Sequence, residues 1–280
     1  MNAPTPVGQL VTHLVAAGTD IKAPPSIRCT GRSVCQHVAR PLFGEHFLEI
    51  GAGRGALTLA LAESGARITA VEIDHALAAE LAAKAPASVS VITTDFLSLD
   101  LHRLNLPSST RAVGNLPYNL SAPILLKLLR FSSYGARLAD AMLMVQLEVA
   151  DRITGLPGTR NWGPLAIATQ LHASPQRVLK LPPGAFRPMP KVRSAAVSLC
   201  FRRSHVRLRS PVLFDSLVRV LFTHRRKTTL NALKPVTDQL NTLRPLEICT
   251  RAGVDPKRRP GELQLSELAD LTEVLASAQK

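Results

Sequence analysis

With 280 residues, 46% of them hydrophobic, the chain can bury a full core, which excludes a disordered tail or a disulfide-stapled miniature. Its 34 Lys+Arg against 20 Asp+Glu leave a net charge of +14, so the expected partner is a polyanion. The excess is local: residues 1–175 carry 14 basic and 12 acidic side chains, residues 176–280 carry 20 and 8.

In chain order, HFLEI (46–50) reads as a short strand, ALTLALAES (56–64) as a helix, RITAVEI (67–73) as a strand and HALAAELAAKA (75–85) as a helix. VSVITTD (89–95) and TRAVGN (110–115) read as strands, followed by a helix from about Ala122 to Leu129. This alternation is the pattern of a doubly wound, Rossmann-like parallel α/β sheet. DAMLMVQLE (140–148) and SAAVSLCF (194–201) read as later strands, with a helix near GPLAIATQLHA between them and a proline-containing connector over 182–190. From about Arg203 the strand pattern gives way to the helical stretches LFDSLVRVLFTH, DQLNTLRPLEICTRAG and SELADLTEVLAS. A small all-helical C-terminal domain is expected there, giving boundaries of 1–38, 39–202 and 203–280.

Ligands of open α/β sheets sit at the carboxyl ends of the strands. LEIGAGRGAL places Glu49 inside the first strand and Gly51, Gly53 and Gly55 in the following turn, where glycine lets the backbone approach a ligand closely. Glu72 ends the second strand in VEID, where a carboxylate accepts hydrogen bonds from both hydroxyls of a ribose. Asp95 ends the third in TTDF, placed to accept from an adenine amino group, with Phe96 flanking the ring. The turn lacks the Lys-Ser/Thr of a phosphate-binding loop, and GAGRG is shorter than the fingerprint of a dinucleotide site. A nucleoside without phosphates fits better, which points to S-adenosyl-L-methionine as methyl donor.

The fourth strand ends in NLPYN. The lone pair of a base amino group is delocalised into its ring, so an enzyme methylating it must free and aim that nitrogen. The Asn115 side-chain oxygen and the Leu116 carbonyl are two acceptors for the two amino hydrogens. Pro117 stiffens the loop and Tyr118 offers a ring for the base to stack on. Arg225, Arg226 and Lys227 in THRRKTTLNALK are expected to bind phosphates of the polyanionic partner.

Taken together, LEIGAGRGALT, VEID, DFL, NLPYNLSAPILLKLL, MLMVQLEVADRI, LPPGAFRPMPKVRSAAV and HRRKTTLNALK resemble, in order over roughly residues 40 to 275, the KsgA family of ribosomal RNA adenine N6,N6-dimethyltransferases. The resemblance implies a class I methyltransferase domain with a small helical domain. It also implies dimethylation of two adjacent adenosines near the 3′ end of small-subunit rRNA, on the RNA or a pre-ribosomal particle, with a part in small-subunit maturation. Carried over by position, Gly51, Gly53, Glu72, Asp95 and Asn115 contact the cofactor, and Asn115, Leu116 and Tyr118 hold the adenine. Phe186 closes on its other face, and Lys191 joins the RNA contacts. The family's covering stretch before the first strand is replaced here by KAPPSIRCTGRSVCQHV (22–38). Two alternatives share the fold: a methyltransferase of the Erm type acting on large-subunit rRNA, and a non-catalytic RNA-binding assembly factor.

No apolar run reaches membrane-spanning length, and MNAPTPVGQL lacks a basic stretch followed by an apolar one, so a cytoplasmic monomer free of membrane is expected. Cys29, Cys35, Cys200 and Cys249 lack zinc-site spacing and are expected as free thiols, with no metal.

Overall fold

The computed structural model describes residues 43–133, 138–182, 192–241 and 243–278. The N-terminal segment 1–38, Phe186 and Lys191 lie outside the described residues. Strand β1 (His46–Ile50) leads through the glycine turn to α1 (Ala56–Glu63), β2 (Arg67–Glu72), α2 (His75–Lys84) and β3 (Val89–Thr93). Then come β4 (Thr110–Asn115), α3 (Ser121–Ser133), β5 (Leu138–Gln146), α4 (Leu147–Ile153), α5 (Pro164–His172), β6 (Ala173–Leu181) and β7 (Ser194–Phe201). The remaining helices are α6 (Pro211–Thr223), α7 (Thr229–Leu240), α8 (Pro245–Arg251) and α9 (Leu265–Ala278).

The seven strands form one sheet in the order β3-β2-β1-β4-β5-β7-β6, parallel except for β7, which runs against both its neighbours. The order reverses between β1 and β4, and that switch point is where an open sheet forms its ligand crevice. β2 is buried through ITAVE and β4 through TRAVG, as strands covered on both faces, with Glu72 and Arg111 the charged exceptions within them. Phe47, Ile68, Ala70 and Leu81 form the heart of one core cluster beside the glycine turn. Helix α2 begins cleanly because Asp74 Oδ1 accepts the N–H groups of Ala76 and Leu77 at 2.8 and 3.0 Å.

The amino ends of the strands are fastened by buried polar groups. Arg111 Nε donates to Asp140 Oδ1 at 3.0 Å and Nη1 to Glu45 Oε2 at 3.1 Å, with the guanidinium 5.2 Å from the centroid of the Phe47 ring. His46 shares hydrogen bonds with Thr110 and Thr69, both 3.1 Å, which ties β1 to β4 and β2. Burial, then the neighbouring charge of Arg67, pushes its pKa below the ordinary histidine value.

Two compact units emerge: one holds residues to Ala150 and His172–Arg203, the other Asp151–Leu171 and Ser204–Lys280. A single cut at 202/203 is therefore too simple, because 151–171 joins the C-terminal helices. The reason is apolar: Trp162, Ala166, Ile167 and Leu171 belong to the same core cluster as Phe214, Leu217 and Leu221. Trp162 Nε1 donates to the Leu263 carbonyl at 3.0 Å, satisfying its buried N–H. Strand β6 is an addition to the expected pattern. Its Pro175 is tolerated because β6 is the last strand of the sheet. The stretch from Asp238 to Gly253 is two helices rather than one: α7 ends at Asn241, which caps it in the left-handed region at φ 44°, and α8 restarts at Pro245.

Candidate active site

The glycine turn after β1 is built from backbone shapes that only glycine adopts cheaply: Gly51 has φ 72° and Gly53 φ 55°. Gly51 N–H donates to the Val71 carbonyl at 2.9 Å, so the turn hangs on the end of β2. Glu72, at that end, braces the same turn. Its Oε2 accepts the Gly53 N–H at 2.6 Å and its Oε1 accepts the Asp74 N–H at 2.9 Å. Each carboxylate oxygen has a second lone pair, so the brace leaves acceptor capacity for a ligand's hydroxyls. Beside Glu72, Ile73 is 63% exposed, an apolar face at a strand end that pattern reasoning passed over.

Glu49 is the unusual member. It is 2% exposed, and among the described residues its Oε2 has no hydrogen-bond partner. Burial raises its pKa from 4.5 to about 7; Thr58 opposes the shift and the adjacent Glu72 charge adds to it. A buried carboxylate oxygen left without a partner is costly unless something arrives to pair with it. A cation does so, and S-adenosylmethionine carries a sulfonium and an ammonium; the acidic donor set Glu49, Glu72 and Asp95 fits it.

Beyond β3, Asp95 Oδ1 accepts the Leu97 N–H at 2.9 Å, an Asx turn that shapes the loop. Phe96 is buried, and Lys127 Nζ of α3 lies 5.4 Å from the centroid of its ring. The ring thus has an observed partner within the fold.

At the end of β4, Asn115 is exposed and Leu116 buries its side chain while its N–H donates to the Met144 carbonyl of β5 at 3.0 Å. The Pro117 carbonyl accepts from Leu120 N–H and Ser121 Oγ. Among the described residues no hydrogen bond reaches the Leu116 carbonyl or the Asn115 side chain, so the two expected acceptors are not engaged. The Tyr118 hydroxyl is 2.9 Å from Ser194 Oγ, the first residue of β7, which fixes the ring at both ends. Ser194 lies within LPPGAFRPMPKVRSAAV, but its residue type there gives no sign of this partner. A β-carbon added to Gly51 would lie 3.9 Å from the Asn115 carbonyl oxygen, so the glycine turn and the Asn-Leu-Pro-Tyr loop are neighbours.

In the second unit, Arg225, Arg226 and Lys227 are exposed in the turn between α6 and α7. Arg225 Nη1 donates to the Arg160 carbonyl at 3.1 Å, and Thr229 N–H donates to the Arg258 carbonyl at 2.7 Å. Three loops therefore converge, adding exposed Arg160, Lys257 and Arg259 to the surface that charge alone indicated.

Residues 41–276 match the family model described as ribosomal RNA adenine dimethylase. The ribosomal RNA small subunit methyltransferase A of Pseudomonas putida is 38% identical over 244 residues, 85% of this chain and 86% of that one. That of Alkaliphilus oremlandii is 37% identical, covering 83% of each chain. Among solved structures, a dimethyladenosine transferase from Plasmodium falciparum superposes with a TM-score of 0.68 at 24% identity, covering 82% of this chain and 89% of that one. The 23S rRNA methyltransferase ErmE superposes with 0.63 at 23% identity, covering 96% and 97%. At such identities both likenesses speak for the fold.

Proposed function

The chain belongs to the ribosomal RNA adenine dimethylase family, and on that premise we propose that the crevice at β1, β2, β3 and β4 dimethylates N6 of two adjacent adenosines near the 3′ end of small-subunit rRNA. The enzyme is an rRNA adenine methyltransferase whose methyl donor is S-adenosylmethionine. The observation that carries the assignment of residues is the contiguity of the glycine turn with two acceptors, Asn115 and Leu116, that no hydrogen bond reaches among the described residues.

S-adenosylmethionine supplies an electrophilic methyl carbon. Gly51 and Gly53 give it backbone room, Glu72 accepts from its ribose, Asp95 from its adenine amino group, and Glu49 offers a carboxylate to its positive charge. Asn115 Oδ1 and the Leu116 carbonyl accept the two amino hydrogens of the target adenine and draw its nitrogen out of conjugation. Tyr118 stacks on the extruded base, and Phe186 covers the other face. After transfer the nitrogen is a strong acid and loses its proton without a tuned general base. Lys191 and the loops of Arg160, Arg225, Arg226, Lys227, Lys257 and Arg259 hold RNA phosphates, fixing position without reading sequence. The enzyme works in this reading as a cytoplasmic monomer on a pre-ribosomal small subunit; among the described residues no helix is long and apolar enough to cross a membrane.

Isothermal titration with S-adenosylmethionine tests the assignment. Binding that Glu72→Ala abolishes is expected. No binding by the intact protein would favour the non-catalytic assembly factor.

A further inference from the structure

Lys127, half-buried on α3, has no place in the chemistry above, yet its ammonium is fully spoken for. Nζ donates to the Phe96 carbonyl at 2.7 Å, to the Leu97 carbonyl at 2.8 Å and to the Leu99 carbonyl. An ammonium has three N–H donors, and all three end on one short loop. That loop is the one Asp95 opens. Asp95 holds it from the other side, taking the Leu97 N–H on its carboxylate and the Ser98 and Leu99 N–H groups on its carbonyl, both at 3.1 Å. Burial lowers the Lys127 pKa, and the charges of Asp95 and Asp100 oppose the shift.

We propose that Lys127 is a positioning residue for the adenine subsite of the cofactor, locking the loop of residues 96–99 so that Asp95 presents its carboxylate in one orientation. The inference rests on Asp95 being the adenine acceptor. Three carbonyls that converge on one point need a donor there; without it at least some must turn to water, and the peptide planes they belong to turn with them. The Phe96–Leu97 plane carries the N–H that donates to the Asp95 carboxylate, and the Leu97–Ser98 plane carries one that donates to the Asp95 carbonyl. A residue two elements away in sequence thereby sets the aim of a carboxylate it does not touch as a hydrogen-bond partner. Locking of this kind is what holds a binding constellation within the tolerance its ligand requires.

Lys127→Met keeps the apolar stem and removes the donors. Its expected effect is a rise of about ten-fold in the dissociation constant and KM for S-adenosylmethionine, the scale on which outer supporting contacts act at other sites. The KM for RNA and kcat at saturating cofactor should stay within about two-fold, and the amides of Leu97, Ser98 and Leu99 should exchange faster with deuterium. Lys127→Arg, which keeps charge and several donors, should recover most of the affinity, and Lys127→Gln should not. This Arg-against-Gln contrast, measured at matched melting temperature, carries the test if the methionine variant folds poorly. Unchanged cofactor affinity in Lys127→Met, with Asp95→Ala still weakened, overturns the proposal, as does a fall in kcat and melting temperature together with equal rises in both KM values. Unchanged affinity in Asp95→Ala itself would instead show that the assignment of Asp95 is what failed.

Discussion

The two ends of one sheet treat buried charge in opposite ways. At the amino ends, the buried Arg111 meets Asp140 and Glu45 within 3.1 Å, two ion pairs supplied by the fold itself. At the carboxyl ends, among the described residues, Glu72 meets only backbone N–H groups and one Glu49 carboxylate oxygen has no hydrogen-bond partner. The same strands supply both ends, so composition alone does not explain the difference. One end spends its polar groups on holding strands together; the other keeps an acidic crevice with acceptor capacity left for a ligand.

The largest expected effect is on the closed end. Asp140→Ala leaves Arg111 with less compensation in a buried setting, and should cost about 3 to 5 kcal/mol in denaturant unfolding. Cofactor affinity of the protein that remains folded should hardly change. A comparable loss at the open end is one of rate. Asn115→Ala should slow methyl transfer by about 100-fold or more while fold and most RNA affinity persist, and turnover near the parent's in a single-turnover assay would end the role given to this residue.

Glu49→Gln sharpens the contrast by making the open end more stable and less useful. The folded pKa of Glu49 is raised from 4.5 to about 7, so the neutral form is the one the fold favours. Its contribution is fully present below pH 4.5 and is lost as pH rises through about 7, because the native state binds the proton that the unfolded chain has released. The glutamine variant should therefore gain stability over the parent as pH rises from 5 to 8, by up to about 3 kcal/mol, with weaker cofactor binding. Melting curves across that range check the sign; a gain that is flat with pH would mean that Glu49 does not titrate there.

The smallest effect belongs to the second unit. Replacing Arg226 or Lys227 with Gln should reduce the slope of log affinity against log salt by about one unit per lost phosphate contact, for all RNAs alike. An unchanged slope would make this a solvated face.

Much of the open end was readable in advance because its residues sit where a repeating pattern stops. Glu72, Asp95 and Asn115 each follow an apolar run of plain strand character, and a polar residue at such a point stands out. The closed end was not readable. Arg111 and Asp140 lie inside runs that look like ordinary strands, and only the register of β4 on β5 pairs them. The pairing of Tyr118 with Ser194 and the reach of Lys127 to the loop after β3 are equally non-local. Strand β6 escaped notice because PQR interrupts its alternation, and a sheet edge tolerates that interruption. The membership of 151–171 in the helical unit is a matter of which core Trp162 and Ile167 join, and amphipathic pattern does not name the partner.

The most direct test of the open crevice as a methyl-transfer site is to incubate the protein with labelled S-adenosylmethionine and small-subunit particles lacking the modification, then map the product by mass spectrometry. N6,N6-dimethyladenosine at two adjacent positions near the 3′ end of the small-subunit rRNA, absent with Asn115→Ala, is the predicted result. Absence of label in the rRNA, with folded protein that binds both the particle and the cofactor, would contradict it.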